Sequence, residues 1–380
     1  MNIRNPPLSL PFLVSTLMTI IINLQILPCF STTTTSFVFG DSLVDAGNNN
    51  YLVSLSRADF PPNGIDFPPN GRPTGRFTNG RTIADIVGEG LGVKPFPPPY
   101  FAPNAEPNAV LSGLNYASGA SGILDETGSL FIGRVPLRQQ ISNFEQSRRH
   151  MVKVMGERNT SKFLKEAIFS VTIGANDVLN YIQPLIHIPF LHDHGSISPS
   201  IFQDFLISNL TTHLKRLHGL GGRKFVIVDV GPLGCIPFVR AIKFVPKGKC
   251  SVEVNTLIRG YNSKLKAEIY LLNREIGPKA IFVYANTYDV FIQIIFNYRY
   301  FGFENSDDPC CGGYVPPFLC RLGNNENMSS VMCNERGKYV FWDAYHPSEA
   351  TNLILSEKLL YGDKTVAWPM NLSQLHRYKL

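Results

Sequence analysis

The sequence has no basic cluster interleaved with aromatic residues. Its 35 Lys and Arg against 29 Asp and Glu leave a net charge of +6 that is scattered along the chain. Such a distribution gives no footprint for a phosphate backbone and argues against a nucleic-acid partner. Charge is also sparse, at 17% of residues against 44% hydrophobic, which excludes a disordered or fibrous chain and allows a sizeable core. Beyond the first 35 residues no segment is apolar enough to cross a bilayer. There is no solenoid-like repeat and no Gly/Ser linker, so one domain is expected over 36–365, with a tail over 366–380. Two catalytic and metal signatures are missing as well. No C-x-x-C pair is present, and the nearest approach to a G-x-S-x-G elbow, "GASGI" at 119–123, lacks its final glycine.

What is present begins with an N-terminal address. Arg4 supplies a positive start and "FLVSTLMTIII", Phe12 to Ile22, an uninterrupted apolar run, followed by small and polar residues. The run is shorter than the ~20 residues of a spanning helix, so it reads as a signal peptide over 1–30, cut between Pro28 and Thr35. The expectation is a secreted protein, extracellular or in the cell wall, with no stable membrane anchor after cleavage. Of seven cysteines, Cys29 leaves with the signal or sits at the new terminus. The remaining six are Cys235, Cys250, Cys310, Cys311, Cys320 and Cys333, which permit fifteen pairings. An oxidising compartment favours disulfides over zinc for these adjacent, irregularly spaced thiols. The local pair Cys235 and Cys250 would close a loop contributing about 3 kcal/mol, with the other four paired among themselves. Sequons at Asn159, Asn209, Asn327 and Asn371 agree with export and glycosylation.

Four apolar, β-branched runs stand at 36–40, 167–174, 224–231 and 280–286, separated by stretches of helical spacing. Hydrophobicity without alternation suits parallel strands buried on both faces, so the chain reads as an α/β sandwich. The region from Arg57 to Val110 differs: FPPNG occurs twice, seven residues apart, and prolines recur, so ordered loop is expected.

Three stretches bear chemistry. In "FVFGDSLVDAGNNN", Phe37 to Asn50, a buried-looking strand runs into Gly40-Asp41-Ser42. A serine at the carboxyl edge of a parallel sheet stands where such sheets place ligands, and it requires a base to become a nucleophile. The alternative is an ordinary strand end. Of eight histidines, only His346 has an aspartate three residues before it, Asp343, in "YVFWDAYHPSEA". Pro347 keeps His346 out of a helix, on a loop or at a helix cap, and Asp343 can fix its tautomer. The rival reading is a surface turn capped by the aspartate. In "TIGANDVLN" the amide of Asn176 suits a developing oxyanion, or merely an Asx-turn. Asp177 beside it reads as a cap or a buried acceptor. The small residues of "GLNYASGASGI" let backbone N–H groups approach a ligand, with Gly119 as donor and Ala120 or Gly122 as near alternatives. His187, His192 and His194 lie close together but in a proline-bearing stretch without a frame, so no metal site is read there.

The order strand-GDS, small-residue loop, strand-GAND and D-x-x-H resembles the four blocks of the GDSL-type (SGNH) hydrolases. The wider chain resembles the secreted plant GDSL esterase/lipases, through "GIDFP", "PTGRFTNGR", "DVGPLGCIP", "DPCCGGY" and "YVFWDAYHPSEATN". The resemblance implies a flavodoxin-like three-layer α/β/α sandwich with a parallel sheet of about five strands. It implies a hydrolase of acyl or lipid-like esters with a role in lipid metabolism, needing neither metal nor organic cofactor. Ser42 would be the nucleophile, His346 the base and then acid, and Asp343 its orienter. Ser42 N–H, Gly119 N–H and Asn176 would hold the oxyanion. The same site would also serve an acyltransferase or a carbohydrate deacetylase, and a catalytically idle binding protein is the rival of another class.

Overall fold

Each apolar run has a phenylalanine at its second or third position, and the four rings fix how the runs lie together. The computed structural model describes residues 34–103, 109–183, 197–313, 320 and 332–380. In chain order the elements open with strand β1 (Ser36–Gly40), helix α1 (Ile83–Gly90), helix α2 (Leu137–Glu166, kinked at Gly156) and strand β2 (Ile168–Thr172). Helices α3 (Ala175–Ile182) and α4 (Pro199–Gly219), strand β3 (Lys224–Val228), and helices α5 (Pro237–Ile242) and α6 (Val252–Ile276) follow. Strand β4 (Ile281–Ala285), helix α7 (Thr287–Phe296), and the short strands β5 (Asn305–Pro309) and β6 (Tyr339–Phe341) come next. Helix α8 (Glu349–Tyr361), strand β7 (Ala367–Trp368) and helix α9 (Leu372–Arg377) close the chain.

Strands β1 to β4 pair in parallel, placing Phe37, Phe169, Phe225 and Phe282 side by side. Successive ring centroids lie 5.2, 5.5 and 4.5 Å apart, and all four rings are fully buried. Such contacts contribute about 0.5–1.5 kcal/mol each beyond burial, so the ladder pins the register. Phe144 of α2 packs edge-on against this ladder, and α2, α4 and α6 pack in sequence along that side. Ile83 of α1, Leu359 of α8 and Leu372 of α9 meet Ser36, Ser170 and Val226 on the opposite face. The result is the expected three-layer sandwich.

Two edges complete the sheet. Residues 114–118 run parallel to β1, with Val38 N–H donating to Leu114 O (3.0 Å) and Tyr116 N–H to Val38 O (2.7 Å). Counting that segment second, the parallel strands lie in the spatial order 2-1-3-4-5, the flavodoxin-like winding. At the other edge β7 joins β4 antiparallel, Ala285 opposite Ala367.

Several expectations need adjustment. Residues 366–380 supply β7 and α9 rather than a tail, because Leu372 and Leu375 bury themselves in the core. The proline-rich region contains helix α1, nucleated by a capping box between Thr82 and Asp85 that the surrounding prolines obscured. Pro347 precedes rather than opens the last long helix, whose N-cap is Ser348. The disulfides join Cys235 to Cys250, Cys310 to Cys333 and Cys311 to Cys320. The signal segment, Cys29, the histidines at 187, 192 and 194 and the sequon at Asn327 lie outside the described residues. Among the described residues no helix is long and apolar enough to cross a membrane, and no His/Cys/Asp/Glu group is placed to hold a metal.

Candidate active site

The strand ends on a glycine because nothing larger fits. A Cβ on Gly40 would stand 2.3 Å from Thr172 O and 2.6 Å from the Val44 side chain, so the end of β1 has no room for a side chain. The buried side chain of Gln140, reaching in from α2, brackets the same residue. Its Oε1 accepts from Gly40 N–H (2.9 Å) and its Nε2 donates to Gly40 O (2.8 Å). Asp41 then turns the chain, its Oδ1 accepting from Leu43 N–H (3.0 Å) and its carbonyl from Val44 and Asp45. Ser42 is left half-buried at the crest, at the switch point of the sheet.

The imidazole arrives from the far end of the chain. His346 Nε2 lies 2.8 Å from Ser42 Oγ, and Nδ1 lies 2.8 and 2.9 Å from the two oxygens of Asp343. The backbone N–H groups of Tyr345 and His346 also donate to Asp343 Oδ1, at 2.8 and 2.7 Å. The aspartate is therefore both a turn cap and a partner of the ring; the two readings of D-x-x-H describe one geometry. His346 is buried, and the ring of Phe77 packs tilted beside it with centroids 5.3 Å apart.

The loop carrying His346 is fastened by residues that sequence reasoning did not single out. Trp342 Nε1 donates to Asn63 Oδ1 (3.0 Å), Thr78 Oγ1 to Pro347 O (3.1 Å), and Glu349 N–H to Asn79 Oδ1 (2.8 Å). Arg336 forks onto Asp66, at 2.6 and 2.7 Å. Cys310 and Cys311 donate their backbone N–H groups to Phe341 and Trp342, so two disulfides lie beneath the same loop. The proline-rich region is thus a strap across the base. Nothing in its composition pointed to that role.

Asn176 stands in the first turn of α3, with Nδ2 donating to Ser121 O (2.9 Å), which aims its amide along the cleft. Gly119 does not serve as expected. Its N–H donates to Asp45 Oδ2 (3.0 Å), a buried carboxylate that also accepts from Gly47 and Asn48. Gly122 is a packing glycine, since a Cβ there would strike Thr127 and Asp177. Ala120 is the residue of this loop that lines the cleft. It holds φ 65°, a conformation costly for a residue with a Cβ, and its N–H has no hydrogen-bond partner among the described residues. Ser42 N–H is likewise unpartnered. Asp177 is a buried acceptor, taking bonds from Ile123 N–H, Leu124 N–H and Thr127 Oγ1.

Burial dominates the electrostatics beneath the site. It pushes the Asp41 carboxyl up to about 7, against the lowering pull of Leu43 N–H and of His346. Asp45 and Asp177 rise to about 6 for the same reason, held back by the backbone and side-chain donors that surround them. Above them opens a cleft of about 290 Å³. Ser42, Asn176, Asp343 and His346 line its floor; Leu55, Phe77, Leu130, Phe131, Leu179 and Phe238 dominate its walls. A hydroxyl hydrogen-bonded to an oriented imidazole, facing free N–H donors in an apolar cleft, is equipped for acyl transfer.

Comparison with known proteins points the same way. The GDSL-like lipase/acylhydrolase family model matches residues 37–359. A GDSL esterase/lipase of Arabidopsis thaliana is 60% identical over 346 residues, covering 90% of this chain and 93% of its own. Two more from the same plant are 46% identical, one over 351 residues (90% of this chain and 90% of its own), the other over 346 (90% and 87%).

Proposed function

The chain belongs to the GDSL-like lipase/acylhydrolase family, and from that premise we propose that this ester hydrolase cleaves acyl esters through Ser42, His346 and Asp343. Ser42 Oγ attacks the carbonyl carbon while its proton passes to His346 Nε2, and Asp343 stabilises the imidazolium formed. The oxyanion is received by Ser42 N–H, Ala120 N–H and Asn176 Nδ2. Collapse returns the proton to the departing alcohol and leaves an acyl-enzyme. Water, deprotonated by the same imidazole, then releases the acid. What supports this reading is the continuous chain Asp343–His346–Ser42, with both junctions at 2.8 Å.

The apolar walls favour an acyl chain over a sugar, so the substrate is a lipid-like ester. Three disulfides and the apolar N-terminal run support export through an oxidising compartment, with the signal removed between residues 28 and 35. Asn159 is the exposed sequon best suited to a glycan; Asn209 and Asn371 are half-buried, and Asn371 Oδ1 caps α9.

The test is hydrolysis of p-nitrophenyl esters of graded chain length by the wild-type protein and Ser42→Ala. The reading expects cleavage that improves beyond the acetate and disappears in the variant. Equal turnover by folded Ser42→Ala overturns it.

A further inference from the structure

The cleft opens through two loop segments that carry no charge. Tyr51–Ser56 reads YLVSLS and Gly128–Gly133 reads GSLFIG. They are joined as a short antiparallel ladder: Leu55 N–H donates to Phe131 O (3.0 Å) and Gly133 N–H to Val53 O (2.9 Å), with Ser54 opposite Ile132. From this ladder Val53 is 84% exposed, Leu55 66%, Ile132 60% and Leu130 57%. Isolated exposed hydrophobes need no explanation, but a contiguous set on a hydrogen-bonded frame marks an interaction surface. Ile132 sharpens the point. A β-branched residue at φ 65° is a backbone outlier, yet here it presents its side chain to solvent.

What such a surface takes follows from its charge and its position. The arginine that bounds each segment already has partners. Arg57 is paired with Asp59, and Arg134 donates to the backbone carbonyls of Thr127 (2.8 Å) and Asp125 (2.6 Å). A rim whose own segments carry no charge, and whose flanking arginines already have partners, is matched to an uncharged phase and gives an anionic bilayer little to hold. Leu55 and Leu130 belong both to the rim and to the cleft wall above Ser42. A protein seated here would cover the mouth, whereas an ester phase would feed it.

We propose that segments 51–56 and 128–133 dock the protein on the surface of an uncharged, water-insoluble ester phase and lead single molecules from it into the cleft. The chemistry at Ser42 rests on the reading above; the docking stands on the rim alone. Val53 and Ile132 lie outside the cleft lining, so they separate the two.

The experiment measures co-flotation of the full chain with trioctanoylglycerol droplets, hydrolysis of those droplets, and kcat/KM on p-nitrophenyl acetate kept below its solubility limit. The wild-type protein floats with the droplets. Val53→Asp/Ile132→Asp partitions at least about tenfold more weakly and loses droplet hydrolysis in proportion, since each apolar contact is replaced by a charge. Its activity on the dissolved ester stays within about twofold, as for other surface changes. The milder Val53→Ser/Ile132→Ser pair gives a smaller loss of the same kind, and guards against misfolding of the first. Docking is overturned if wild-type protein cleaves dissolved ester without floating, or if the double variants float as it does. It is also overturned if light scattering finds a wild-type dimer that the variants dissociate while flotation is unchanged. Flotation by a protein that cleaves no ester sinks the hydrolase reading and leaves docking in place.

Discussion

The two halves of the site are held in different ways. Ser42 hangs from a strand end in the middle of the sheet, fixed by backbone bonds to β2 and by Gln140. His346 sits on a loop tied to Asn63, Thr78 and Asn79, partners some 270 residues earlier in the chain. Ser42 is positioned by the core itself, while His346 is positioned by side chains of the strap. The difference teaches that the 2.8 Å contact between them is an assembly of two separately secured parts. Damage to the core should cost stability first; damage to the strap should cost rate first.

The largest break comes at the joint. Asp343→Asn keeps the turn but supplies an amide where the ring needs a carboxylate, so kcat should fall about 10⁴-fold with little change in KM. Steady-state kinetics on a dissolved ester checks it; a loss below tenfold would detach Asp343 from the base. Asn176→Ala should lower kcat roughly 100- to 1,000-fold while the melting temperature barely moves.

Two smaller changes test the contrast itself. Gln140→Leu leaves the buried N–H of Gly40 unpaired, while Gly40 O keeps Ser118 N–H and Ser121 Oγ, and should cost about 1–3 kcal/mol in denaturant unfolding, felt mainly as stability. Asn63→Ala leaves Trp342 Nε1 unpaired at similar cost, but its signature should be a falling kcat as the His346 loop loosens. If Asn63→Ala lowers stability and leaves kcat untouched, the strap is only structural.

The last expected effect is electrostatic and shows as a slope with pH. Asp41 has its folded carboxyl raised from 3.8 to about 7 by burial. Protonation therefore favours the native state: the stabilisation is full below about pH 4 and is lost as pH rises through 7. Asp41→Asn removes that slope, so its stability relative to wild type should improve between pH 4 and pH 7. Melting of both proteins across that range would show it; a constant difference at every pH would contradict it.

How much of this was legible in the sequence follows the same division. The four apolar runs announced the parallel strands because burial on both faces leaves continuous hydrophobicity. Ser42, Asp343, His346 and Asn176 were legible because chemistry restricts residue type. The strap was not, because Asn63, Thr78 and Asn79 act through contacts that only the fold brings together. Strand β7 was missed because two residues carry no periodicity. Gly119 was assigned an oxyanion role from the smallness of its loop and from the family resemblance. The fold gives its N–H to Asp45, three residues past Ser42, and leaves Ala120 to face the cleft.

The most direct measurement is mass mapping of the intact, disulfide-bonded protein after reaction with a fluorophosphonate. The account predicts one phosphonyl group per chain, carried on Ser42, with labelling abolished in Asp343→Asn/His346→Ala. No adduct on folded protein, or an adduct on another serine, would contradict it.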